Sequence, residues 1–83
     1  MPENNHRISL SEMPVGEDAT ILAFMGGRMV NNRLASLGFT PGVRVTMTQN
    51  YGRGPLIVTV RGTRVALGRG EAARIVVARG GHE

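Results

Sequence analysis

The sequence predicts a mainly β chain that curls into a small antiparallel barrel with one short helix laid against it. Three observations carry that expectation. About five short stretches have strand patterning, most of it with a period of two. Glycine or proline bounds each stretch, so turn signals recur about every eight to twelve residues. A single segment, 28–37, carries a helical stripe instead.

A chain of 83 residues makes one small domain. It buries only about 60% of the surface that its unfolded chain exposes, so its core is thin. Many short strands in so small a chain favour a sheet that curls on itself, because curling leaves few edges exposed. The helix follows the first expected strand, whereas a five-stranded OB-type barrel places its helix after the third. The expected fold is therefore an SH3-like barrel of about five antiparallel strands, with the helix between the first and second.

Residues 1–7 are polar and aperiodic and are expected to form a flexible tail, as is 80–83, which leaves 8–79 as the domain. Leu10 and Met13 stand three apart, suiting one helical turn that Pro14 cannot extend. Pro14 to Glu17 reads as a turn, and 19–25 as a short apolar strand that Gly26-Gly27 ends.

In 28–37, Val30, Leu34 and Leu37 fall at i, i+4 and i+7, one stripe of a helix. So short a helix is not stable alone in water and depends on docking that stripe. Gly38 supplies the left-handed residue that closes a helix, and Phe39 after it is placed to fold back onto Leu34 as in a Schellman cap. Pro41 fits the second position of a type II turn and Gly42 the third, so the chain reverses before Val43.

A period of two follows. Val43, Val45 and Met47 point one way, and Arg44, Thr46 and Thr48 the other. Tyr51 to Pro55 is a loop; Val58 and Val60, then Val65 and Leu67, make a hairpin around Gly62. Glu71-Ala72-Ala73 permits at most a single helical turn, and 74–78 is the last strand.

All ten basic residues are arginine, against six carboxylates, for a formal net charge of +4. Their even spacing reads first as solvated strand faces and loop tips rather than as a nucleic-acid footprint, which would be a patch. An RNA-binding barrel is the alternative that the arginine excess raises. The scarcity of aromatics beyond Phe24, Phe39 and Tyr51 argues against it, since base stacking needs them. It argues equally against a groove for proline-rich peptides. No apolar run approaches the ~20 residues of a membrane span, the start lacks the apolar core of a signal peptide, and there is no cysteine. These features give the expectation of a soluble cytoplasmic protein without membrane insertion.

No catalytic constellation is visible. His6 and His82 lie in opposite tails, and the carboxylates show no ligand spacing, so no metal site is expected beyond a weak one through the tail histidines. There is no cysteine and no serine in a nucleophile elbow. Gly52-Arg53-Gly54-Pro55 and Gly68-Arg69-Gly70-Glu71 lack both the Walker lysine and the dinucleotide-binding glycine spacing, and read as turns.

Three ordered segments, Leu10-Ser11-Glu12-Met13-Pro14-Val15-Gly16-Glu17, Arg33-Leu34-Ala35-Ser36-Leu37-Gly38-Phe39-Thr40-Pro41-Gly42, and Val65-Ala66-Leu67 with Glu71-Ala72 and Ile75 to Val77, carry a resemblance. From about residue 10 to 77 the chain resembles the FeoA family, small cytosolic SH3-like proteins associated with the bacterial ferrous-iron transporter FeoB. The resemblance implies a non-catalytic accessory of ferrous iron uptake that binds the cytosolic GTPase region of a FeoB-type transporter, with no cofactor and no DNA. The same domain type is similar to the C-terminal module of diphtheria-toxin-repressor-type iron regulators, so a stand-alone regulatory domain is a further alternative. This chain has no DNA-binding helices, which favours the transport accessory.

The loop Gly52-Arg53-Gly54-Pro55 departs from the Gly-Asp-Pro common in the family, and Gly68 stands where a basic residue is common. The partner-facing loop chemistry is therefore this chain's own. The expected contacts are Arg33 on the helix, Phe39 in its cap, and Tyr51 and Arg53 in the loop. Arg53 or Arg69 is the candidate arginine finger toward a bound GTP.

Overall fold

Alternation of apolar and polar residues pairs each strand with a neighbour and leaves one buried face. The computed structural model describes residues 7–79. In chain order the elements are β1 (Arg7–Ser9), a 3-10 turn (Leu10–Glu12), β2 (Asp18–Phe24), α1 (Arg28–Ser36), β3 (Arg44–Gln49), β4 (Leu56–Val60), β5 (Thr63–Leu67), α2 (Arg69–Ala72) and β6 (Ile75–Arg79). The strands form a single sheet in the order β1-β6-β2-β3-β4-β5, and every pairing is antiparallel.

The mainly β barrel expected from the sequence is what forms, with six strands rather than five among the described residues. The extra strand is β1, where Arg7, expected in the tail, pairs with Ala78, and Ser9 with Val76. Three residues are too few to show a period of two, and their extended form is supplied by β6, which is distant in sequence. The helix accordingly follows the second strand. The rest of the expected tails, and both histidines, lie outside the described residues.

The local signals held. Gly38 has φ +101°, its N–H donates to the Ala35 carbonyl at 3.0 Å, and the Phe39 N–H donates to the Leu34 carbonyl at 3.0 Å, the paired bonds of a Schellman cap. Gly42 has φ +92°, and the Val43 N–H donates to the Thr40 carbonyl at 3.1 Å, closing the turn after α1. Arg61 and Gly62, with φ +52° and +81°, join β4 to β5 in a two-residue hairpin of the primed kind, whose twist matches the strands it connects.

One core results. β3 buries Val45 and Met47, β4 buries Leu56, Val58 and Val60, and β6 buries Ile75 and Val77. Leu10 and Met13 from the 3-10 turn, Leu34 from α1, Phe39 from its cap and Ala72 from α2 join the same cluster. Register shifts interrupt the ladders between Ile21 and Ala23 and between Met47 and Gln49, the kind of irregularity that bends a strand. The bending brings the two edges of the sheet near each other, since α2 after β5 packs against the 3-10 turn after β1.

Candidate functional site

The loop between β3 and β4 is built on Asn50 and Arg69. Asn50 Nδ2 donates to the Ser11 and Met13 carbonyls at 3.2 and 3.0 Å, and its Oδ1 accepts from the Gly52 N–H at 3.0 Å, an Asx-type turn that starts the loop. The same oxygen accepts from Arg69 Nη2 at 2.7 Å. Arg69 Nε donates to the Gly54 carbonyl and Nη1 to the Ser11 carbonyl, both at 3.2 Å. The planar guanidinium reaches three acceptors because its donors diverge in a fixed fork. Above this base, Tyr51 stands 78% exposed and Arg53 is exposed.

Two ion pairs tie further elements together. Arg33 of α1 donates through Nε to Glu71 Oε2 of α2 at 2.6 Å, and Glu71 Oε1 accepts from the Gly68 N–H at 3.3 Å. Arg79 of β6 holds both carboxylate oxygens of Glu17, at 2.9 and 2.7 Å. The hydrogen bond from Arg33 lowers the Glu71 pKa, and that from Arg79 lowers the Glu17 pKa; each guanidinium is in turn made harder to deprotonate. Neither carboxylate is tuned to take up a proton near neutrality. Among the described residues no three histidine, cysteine or acidic side chains gather where a metal ion would sit.

The structure sorts the five residues singled out from the sequence. Tyr51 and Arg53 share one exposed loop. Arg33 is committed to Glu71, and its backbone carbonyl accepts from Ser36 Oγ. Phe39 is fully buried, so the expectation that it meets a partner is corrected: its ring is core. Arg69 spends its guanidinium on three internal acceptors, whereas the Arg53 guanidinium has no hydrogen bond or ion pair among the described residues. The Ser11, Asn50 and Gly54 partners of Arg69 are scattered along the chain, and nothing local marked them.

Sequence reasoning passed over Met25 and Met29, which are 69% and 85% exposed. A signal existed. Met29 lies off the Val30, Leu34 and Leu37 stripe, and Met25 directly precedes the glycine pair that ends its strand.

A curled antiparallel sheet around one core defines a small SH3-like β-barrel domain. The family model of the FeoA domain matches residues 8–79. A curated protein of Methanocaldococcus jannaschii, named Fe(2+) transport protein A, is 32% identical over 62 residues, 75% of this chain and 74% of the relative. The crystal structure of an iron uptake regulatory protein, FeoA, superposes with a TM-score of 0.84 at 34% identity, covering 88% of this chain and 97% of that one. The zinc-complexed FeoA of Stenotrophomonas maltophilia, described as a procaryotic SH3 domain protein, is 36% identical with a TM-score of 0.75, covering 84% and 88% of the two chains. The chain belongs to the FeoA family.

Proposed function

We propose that this chain is a non-catalytic, cytoplasmic accessory of ferrous iron transport that acts by binding the cytosolic GTPase region of a FeoB-type transporter. The observation that carries the reading is the FeoA match across residues 8–79, nearly the whole of the described barrel. Two features support it. The relatives that the chain matches include a protein named for Fe(2+) transport and FeoA structures, one of them described as a candidate ferrous iron transport activating factor. The loop between β3 and β4, which departs from the family pattern, is held by an internal clamp and presents Tyr51 and Arg53 outward. Rigid loops lose little freedom on docking, and a free arginine contributes to encounter rate and specificity.

The test is co-elution of the full chain with a full-length FeoB-type transporter in nanodiscs, with and without a non-hydrolysable GTP analogue. Saturable co-elution in at least one nucleotide state is the expected result. No association in any state, together with salt-sensitive binding of a short RNA, would overturn the reading in favour of the basic RNA-binding alternative.

A further inference from the structure

Met25 and Met29 flank the turn from β2 into α1, and both stand in solvent at 69% and 85% exposure. The turn is tightly seated. A Cβ on Gly26 would lie 2.9 Å from Val30 Cγ1, so only glycine lets the chain pass this close to the helix. The Met25 N–H donates to the Arg74 carbonyl at 2.6 Å, which fixes the turn beside the segment linking α2 to β6. Between α1 and that segment lies an open hollow of about 160 Å³, lined by Val30, Gly70, Glu71 and Arg74.

The charges around the hollow are asymmetric. Glu71 is neutralised by Arg33 at 2.6 Å, whereas Arg74 on the rim and Arg28 in the first turn of α1 are exposed, and neither guanidinium has a hydrogen bond or ion pair among the described residues. The start of α1 and the hollow beside it therefore offer two flexible apolar side chains, a notch next to Val30 and two guanidiniums without a partner among the described residues. Methionine adapts its shape to varied apolar partners, which is why it recurs on surfaces that bind segments of other proteins. Arginine offers paired donors matched to carboxylates.

We infer that this face, formed by Met25, Arg28, Met29, Val30, Gly70 and Arg74, docks an acidic amphipathic segment of the transporter's cytosolic region. One apolar side chain of that segment enters the hollow beside Val30, the thioethers cover its neighbours, and its carboxylates face Arg28 and Arg74. The inference rests on the proposed function and adds to it a second surface. Arg69 anchors the Tyr51 loop on one side of α2, while Gly70 and Glu71 line the hollow on the other. A nucleic acid is disfavoured as occupant because the patch has no aromatic side chain for a base to stack on.

The test is methionine oxidation footprinting of the full chain, read by mass spectrometry, with the full-length transporter in nanodiscs as probe. Met13 and Met47 are buried and serve as internal references. Protection of Met25 and Met29 by transporter-loaded nanodiscs, and not by empty nanodiscs of the same anionic lipid, is the expected result. Equal protection by the empty nanodiscs would overturn the inference, since the occupant is then the lipid surface. Co-elution without protection would overturn this surface and leave the proposed function standing. Absence of co-elution in every nucleotide state would overturn the proposed function, and this surface's occupant with it.

Substitution gives an independent arm. Met29→Glu, and the charge reversal of both Arg28 and Arg74 to Glu, should each weaken binding by about tenfold or more. Met29→Glu places an acid in the first turn of α1, which has none, where it favours the helix, so lost binding from that variant is not lost folding. Retained affinity in both variants would overturn the inference.

Discussion

Arg69 Nη1 donates to the Ser11 carbonyl at 3.2 Å, and these residues stand just past the ends of β5 and β1, the two edge strands of the sheet. Six strands in a row leave two edges with unpaired backbone groups. Here the curl of the sheet carries the two exits toward one another, and a single guanidinium joins them. With its bonds to Gly54 and Asn50, Arg69 also ties that junction to the loop between β3 and β4.

Arg69→Ala leaves the Gly54 carbonyl without that donor and removes one donor each from Ser11 and Asn50. Hydrogen bonds from a charged donor contribute about 1.5 to 3 kcal/mol, so the urea midpoint should fall measurably. Arg69→Lys should recover only part of the loss, because an ammonium lacks the diverging fork. An unchanged midpoint in Arg69→Ala would mean that apolar packing alone holds the junction.

Leu34 is the one fully buried side chain of α1. Leu34→Ala is expected to cost about 2 to 5 kcal/mol, from lost transfer free energy and the cavity left behind. That is a large share of the stability of a domain this small. Chemical denaturation followed by circular dichroism measures it.

Arg61 sits at φ +52° in the β4–β5 turn, a conformation that costs most residues with a side chain about 1 to 2 kcal/mol. Asparagine tolerates it better and is favoured at this position of a primed hairpin turn. Arg61→Asn should therefore raise the melting temperature, by an amount corresponding to about 0.5 to 1 kcal/mol. A lowered melting temperature would show that the aliphatic part of Arg61, packed beside Gly38, matters more than the backbone.

Glu17 and Glu71 have pKa values lowered in the folded state, chiefly by the hydrogen bonds from Arg79 and Arg33. A carboxylate depressed by folding adds stability that is fully present above its unfolded value, about 4.3, and is lost as pH falls through the lower folded value. Stability should thus be flat from pH 7 to about 5 and decline below about 4. The double variant E17Q/E71Q should show a shallower acid decline in urea midpoints measured from pH 7 to 3. The difference should be modest, because both pairs are solvent-screened.

Features signalled within a few residues were legible in the sequence. Gly38, Pro41 and Gly42 announce a helix end and a turn by their backbone preferences, and the alternation in β3 and β4 states which side faces the core. β1 was not legible, since its conformation comes from β6 rather than from its own three residues. The candidate site divides on the same principle. Tyr51 and Arg53 are visible as loop residues, while the commitment of Arg33 to Glu71 and of Arg69 to Ser11 depends on residues brought together only by the closed sheet. Phe39 illustrates a local signal read twice: its place in the Schellman cap was legible, and that same cap turns the ring inward.

Helix α1 lies on an excursion between β2 and β3, two strands that pair directly with each other, and the Ile21 N–H and carbonyl bond to Val43 and Gly42 at the foot of that excursion. The sheet is thus complete without the helix. Lifting α1 away uncovers Leu34 and breaks none of the β2–β3 ladder, so local opening of this element requires less free energy than unfolding the barrel. In hydrogen exchange, the amides of α1 should form a separate, faster class than those of β3 and β4. A partner that grips the Met25–Met29 end therefore pulls on the element that can shift while the rest of the molecule stays folded.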